Sequence, residues 1–151
     1  MERIFLLMNS HLHQQILRKP QQDQLSRYND RKLPSGRLAE QEVQKFLVSE
    51  GFEILAVNYH SRQGELDIIA YKSGLMIFAE VKARKSIKYG QPFEFVTELK
   101  QRRIKQTAKI YLQHCYKELE DQPVNFRYDV FSFLLSSKEC IWYTDAFQGE
   151  A

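Results

Sequence analysis

Between Ile68-Ile69-Ala70-Tyr71 and Leu75-Met76-Ile77-Phe78-Ala79 the chain carries only Lys72-Ser73-Gly74, and this interruption constrains the fold more than any other feature. Two short runs rich in β-branched and aromatic residues, separated by so short a break, predict a β-hairpin. With Ser73-Gly74 as a two-residue loop, Lys72 pairs with Leu75, and the ladder runs back to set Asp67 opposite Glu80 and Glu65 opposite Lys82. Period-two alternation then projects Glu65, Asp67, Glu80 and Lys82 one way, and Leu66, Ile68, Ala79 and Val81 the other. A three-residue loop would instead oppose Asp67 to Ala79 and throw Glu80 to the far side, unless a bulge restored the phase.

Two ionised carboxylates about 5 Å apart at an effective dielectric of about 20 repel by about 3 kcal/mol. Like charges opposed across strands are destabilising, so something must offset them. Lys82 or a shared proton does part of this, and a divalent cation does all of it while taking oxygen ligands from both acids. Mg²⁺, or Mn²⁺ in its place, suits a pair of carboxylates whose remaining positions go to water and phosphate. The plain alternative is a set of solvated charges on a half-exposed hairpin. Ile69, Tyr71, Met76 and Phe78 on the same strands argue instead for a sheet covered on both sides, with the acids at one end of a buried face.

Asp67 followed by Glu80-Val81-Lys82 resembles the PD-(D/E)xK nuclease signature, with Leu66 where the signature has proline. More closely, Gly36-Arg37 to Glu40, Gly64-Glu65-Leu66-Asp67, Glu80-Val81-Lys82 and Phe126-Arg127-Tyr128-Asp129-Val130 resemble the YraN family of uncharacterised proteins, from about Ser35 to Phe147. That resemblance implies a three-layer α/β/α restriction-endonuclease-like core with a central mixed sheet, akin to archaeal Holliday-junction resolvases. It implies Asp67 and Glu80 as metal ligands, Lys82 as the residue that helps activate water, and Glu40 as a further acid from the first helix. The implied activity is Mg²⁺-dependent cleavage of DNA phosphodiesters, branched DNA included. Junction cutting needs paired active sites, so a homodimer is a further expectation, although no dimer surface is readable in the residues. The rival expectation is a non-catalytic nucleic-acid-binding or assembly module that keeps a nuclease-like fold.

With 151 residues and 43% hydrophobic content, the chain can bury one good core and hardly two. A net charge of +3 says little about partners, but its distribution says more. Lys82, Arg84, Lys85, Lys88, Lys100, Arg102, Arg103, Lys105 and Lys109 face only Glu94 and Glu98 in the same stretch. Such a basic run is most often a solvated helix face. Beside the acids it reads as a polyanion footprint, with Arg84, Lys85, Lys88 and Lys100 as nucleic-acid contacts and no base-reading motif.

Pro34-Ser35-Gly36 opens a helix that runs to about Glu50 and closes at Gly51, with Ala39, Val43, Phe46 and Leu47 as its apolar stripe. Glu40 lies about 20° from Leu47 on a helical wheel, at the edge of that stripe. A first strand over Glu53 to Tyr59 precedes the hairpin. After a loop from Lys85 to Pro92 comes a second helix, from about Thr97 to Lys117, followed by strands from Phe126 to Leu134 and Ile141 to Thr144. Lys100 and Gln101 at the second helix's start are secondary site candidates, a salt bridge at the helix end being the commoner role. Asp129, in mid-strand, needs a partner if buried, and Arg127 on the same face is its expected structural partner. Cys115 and Cys140, without metal-type spacing, read as reduced packing residues, and among the scattered histidines the chance metal-binding pattern His11-x-His13 is discounted.

Two parts are expected: an extension or short helix plus a glutamine-marked polar linker over residues 1–33, with Ile4 to Leu17 as the helix, and the nuclease-like domain over 34–148. Ile4 to Met8 is too short for the apolar region of a signal peptide and no run approaches a membrane span, so no membrane partner and a cytoplasmic location are expected.

Overall fold

The hairpin forms around Ser73 and Gly74, whose φ angles of 48° and 80° are both positive, the twist that a two-residue turn requires. Lys72 pairs with Leu75, and Gly74 N–H donates to the Tyr71 hydroxyl at 3.0 Å. This turn joins β3 (Gly64–Lys72) to β4 (Leu75–Arg84). The computed structural model describes residues 2–6, 35–85, 96–115 and 125–148.

Around the hairpin the chain adds β1 (Glu2–Leu6), α1 (Ser35–Ser49), β2 (Glu53–Ser61), α2 (Glu98–Cys115), β5 (Asn125–Leu134) and β6 (Glu139–Phe147). The six strands form one sheet in the order β1-β6-β5-β4-β3-β2. Only β4 and β5 run parallel, and the connection between them carries α2, the crossover that parallel strands need.

Each helix covers one face. Ala39, Val43, Phe46 and Leu47 of α1 pack with Ile68, Ala70, Ile77, Ala79, Phe131, Phe133 and Trp142. Ile104, Ala108 and Tyr111 of α2 pack with Leu66, Ile69, Met76, Phe78, Tyr128 and Val130 on the other side. The result is a three-layer α/β/α arrangement, with a mixed sheet between helices. Burial on both faces explains why β3 and β4 read as near-continuous apolar runs.

The helix ends follow local chemistry. At the end of α1, Phe52 N–H reaches back to Leu47 O at 2.9 Å while Gly51 takes φ 87°, the left-handed stop that glycine adopts at little strain. At the start of α2, Thr97 Oγ1 accepts from Lys100 N–H at 3.3 Å and Gln101 Nε2 donates to Val96 O at 2.9 Å. Thr97 is thus the cap, and Gln101 ties the helix to the residue before it. Thr97→Ala is expected to lower stability by about 1 kcal/mol, read from the urea midpoint at constant m-value.

Three sequence expectations change. Residues 2–6, expected in an extension or short helix, instead form β1 and pair antiparallel with β6, Glu2 opposite Tyr143 and Leu6 opposite Glu139. A strand needs far fewer residues than a stable helix, and β6 would otherwise leave unpaired backbone groups along an edge. The rest of the proposed extension lies outside the described residues.

The strict alternation along β3 also fails. Leu66 packs with α2 while Ile68 packs with α1, although period two puts both on one face. The break falls at Asp67, which lies across from Asn58, between the pairs Val57↔Ile68 and Tyr59↔Leu66. Asn58 has φ 50°, and asparagine is among the few residues that tolerate that conformation inside a strand. Finally, the β3–β4 ladder ends at Ile68↔Ala79, so Glu65 never comes to pair with Lys82.

Candidate active site

Where the ladder ends, a side chain takes over from the backbone. Asp67 Oδ2 accepts the Val81 N–H at 2.7 Å, holding β3 beside β4 through a carboxylate rather than a strand carbonyl. This places Asp67 next to Glu80, both nearly covered at 9% and 4% exposure. Burial and then the charge of Glu80 push the Asp67 carboxyl up to about 7, opposed by the Val81 hydrogen bond and Lys100 and reinforced by Glu40.

Glu80 meets a lysine on each oxygen. Lys82 Nζ, two residues along the same strand, lies 2.8 Å from Oε1. Lys100 Nζ, from the first turn of α2, lies 3.4 Å from Oε2 and 3.5 Å from Glu65 Oε1. The Glu80 Oε2 atom is buried and has no hydrogen bond, so Lys100 holds it by charge alone. Burial pulls the Lys100 ammonium down, but Glu80, Asp67 and Glu65 outweigh that and hold it above the usual lysine value. The salt bridge expected at this helix end therefore exists, and it joins α2 to the acids.

Glu65 is turned toward α2 and the neighbouring strand, with His60 Nδ1 3.6 Å from its Oε2. The β2–β3 turn that carries it is docked on α2. Ser61 Oγ and Thr107 Oγ1 lie 3.0 Å apart, and a Cβ on Gly64 would come within 3.1 Å of Arg103 Cβ. Glycine at that position lets the turn sit close enough for Lys100 to reach both acids.

Glu40 comes near from the other layer. It lies close enough to add to the rise of Asp67, yet its Oε2 accepts from Asn58 Nδ2 at 3.1 Å. Asn58 is the residue that sequence reasoning missed. Its signal was a lone asparagine in an apolar strand, which in isolation reads as an exposed edge position. Among the described residues, no three His, Cys, Asp or Glu side chains converge as a metal-holding group. The two carboxylates that could ligate a hard cation together are Asp67 and Glu80.

Arg84 is half-buried and Lys85 exposed at the end of β4, while Arg102, Arg103 and Lys109 are exposed on α2. Lys88 lies outside the described residues. The Arg127–Asp129 pair is structural, as expected, and more extensively bonded than the sequence suggested. The fully buried Asp129 accepts from Arg127 Nε at 2.9 Å, Trp142 Nε1 at 2.8 Å and Asp145 N–H at 3.0 Å. It secures the irregular stretch of β6 between Tyr143 and Phe147, where the β5–β6 register shifts.

A mixed sheet between helices, with two acids and a lysine gathered where its central strands part, defines a protein of the three-layer α/β/α class. The family described as Uncharacterised protein family UPF0102 matches residues 39–133, a span that includes every member of the acid–lysine cluster. The chain belongs to that family. It is 43% identical over 103 residues to a UPF0102 protein of Dictyoglomus turgidum, covering 68% of this chain and 84% of that one. It is 36% identical over 113 residues to a UPF0102 protein of Psychromonas ingrahamii, covering 75% and 88%. Among solved structures, that of Pyrococcus furiosus SfsA in complex with Ca²⁺ matches with a TM-score of 0.34 at 15% identity, over 72% of this chain and 62% of that one. That likeness is too partial to carry over any detail of the site. No helix among the described residues is long and apolar enough to cross a membrane.

Proposed function

We propose that this protein is a metal-dependent nuclease acting on DNA phosphodiesters, branched DNA among them, with Asp67 and Glu80 holding Mg²⁺ or Mn²⁺ and Lys82 at the reacting phosphate. One observation carries the reading. Two buried carboxylates are held so close that Glu80 helps drive Asp67 up to about 7, while a buried Glu80 oxygen lacks any hydrogen bond. Hard oxygen donors in that state fit a small divalent cation, which accepts one or two carboxylates and completes its shell with water and phosphate.

When bound, such an ion supplies neutralisation of phosphate charge and acidification of a water. The remaining work falls to the chain. Val81 N–H fixes the Asp67 carboxylate in the fork of the strands, so one ligand needs no reorganisation. Lys82, a third exposed and anchored on Glu80, presents a positive charge where negative charge grows on the phosphate during attack. Lys85 and the exposed basic residues of α2 contact backbone phosphates, together with Arg84, Lys88 and Lys100 as further contacts. A homodimer would supply the second site that junction cutting needs.

A panel of labelled duplex, branched and single-stranded DNA and RNA, incubated with Mn²⁺, tests this reading. The parent is expected to cut at least one DNA form, and the triple variant Asp67→Ala, Glu80→Ala, Lys82→Ala none, with DNA affinity within about threefold because the phosphate contacts remain. Equal activity in parent and triple variant overturns it. The second reading, a binding or assembly module that does not cut, is favoured by one observation: among the described residues no third acid joins the pair as a ready metal cluster. It requires only salt-sensitive DNA binding, and saturable Mn²⁺ binding lost with Asp67 argues against it.

A further inference from the structure

Lys100 stands in an unusual relation to the acids. Its Nζ is 3.4 Å from Glu80 Oε2 and 3.5 Å from Glu65 Oε1, almost equidistant between a buried acceptor and a half-exposed one. The contact with Glu80 is a charge contact without a hydrogen bond, whereas Lys82 holds the other Glu80 oxygen at 2.8 Å. The backbone beneath Lys100 is fixed, because Thr97 caps its N–H and Gln101 closes on Val96 O. Only the side chain is free to choose between the two acceptors.

We infer that Lys100 is a tethered cation which neutralises the outer oxygen of Glu80 until a divalent ion takes its place, and that Glu65 receives the displaced ammonium. Lys100 thereby sets the affinity of the metal position. This rests on the proposed reading of Asp67 and Glu80 as metal ligands. Three features support it. The acid pair is too buried to rely on water for neutralisation, so in the metal-free protein a cation must come from the chain. Lys100 is that cation on the Oε2 side, held there at 3.4 Å against the 2.8 Å of Lys82 on Oε1. A change of acceptor needs only rotation about the terminal bonds of one side chain, with no movement of α2, since Glu65 already lies within reach. A lysine whose role was to orient Glu80 for the metal would instead weaken Mn²⁺ binding when removed.

The direction of the effect separates these roles. Mn²⁺ titrations of the full chain, followed by calorimetry, are run on the parent, Lys100→Met, Glu65→Gln, the double variant and Asp67→Ala. Lys100→Met is expected to tighten Mn²⁺ binding by about tenfold, since the ion no longer competes with an ammonium. Glu65→Gln is expected to weaken it by about threefold in the parent but by less than about half that factor beside Lys100→Met, because no ammonium then needs a second acceptor. Lys100→Gln serves as an independent variant should Lys100→Met fold poorly, and it should tighten binding in the same direction. Unchanged or weaker Mn²⁺ binding in the Lys100 variants overturns the inference. An equal loss from Glu65→Gln in both backgrounds overturns the role of Glu65. A parent that binds no Mn²⁺ sinks the metal reading and this inference together. Binding in the parent that is lost with Asp67→Ala but unmoved by Lys100 sinks this inference alone.

Discussion

Under the proposed nuclease reading, Lys82→Met is expected to lower the rate of metal-dependent cleavage by about a thousandfold while leaving the Kd for Mn²⁺ within about threefold of the parent. Lys82 touches the cluster at one point, Glu80 Oε1 at 2.8 Å, and is the less buried partner of that ion pair. Removing its charge leaves both carboxylates in place, so an ion still finds its ligands. What disappears is a positive charge whose value rises only as negative charge builds on the phosphate, and such a loss appears in kcat rather than KM. Asp67→Ala behaves differently, because it removes a ligand together with the carboxylate that ties β3 to Val81 N–H, and both binding and cleavage should fall. Lys82→Arg keeps the charge in a broad planar group in place of a compact ammonium and is expected to recover only part of the rate. A Lys82→Met protein that cuts at the parental rate would remove Lys82 from the chemistry, whatever the metal does.

The contrast between Lys82 and Asp67 was partly readable in the sequence. The Ser73-Gly74 turn fixed the hairpin register by its own chemistry, and that register brings Asp67 and Glu80 to neighbouring positions. The stripe of Ala39, Val43, Phe46 and Leu47 likewise gave the buried face of α1 and set Glu40 at its edge. The failures are all non-local. Period two assumes a regular strand, and β3 stops being regular at Asp67, where Asn58 across the β2–β3 ladder takes a left-handed conformation. Glu65 was expected across from Lys82, but once the ladder ends it is free to meet Lys100 and His60 instead. Arg127 was legible as the partner of Asp129 because the two lie on one strand. Trp142 and the Asp145 backbone were not, since they arrive from β6 through an irregular register.

Asp67→Asn is expected to stabilise the protein at neutral and alkaline pH while abolishing its proposed metal site. The Asp67 carboxyl sits at about 7 in the folded protein against 3.8 for the ordinary group, raised first by burial and next by Glu80. The folded state therefore keeps a proton between roughly pH 4 and 7 that the unfolded chain has already released. The contribution of this group is fully present below about pH 4, is lost as pH rises toward 7, and is flat beyond. A rise of about three pKa units corresponds to about 4 kcal/mol, of which the residual access of solvent leaves about 2 to 4 kcal/mol. Asparagine keeps an oxygen to accept the Val81 N–H and carries no charge beside Glu80, so it escapes this loss. The two proteins should melt together near pH 4 and separate steadily above it, with the variant higher by roughly 5 to 15 °C at pH 8. Asp129, also raised by burial, is common to both and cancels in the comparison. Under the proposed reading, Mg²⁺ should raise the parent's melting temperature at pH 8 and leave the variant's unchanged, because ligand stabilises only the state that binds it. Melting curves that stay parallel from pH 4 to 8 would show that Asp67 and Glu80 are not the electrostatically opposed pair on which the metal reading depends.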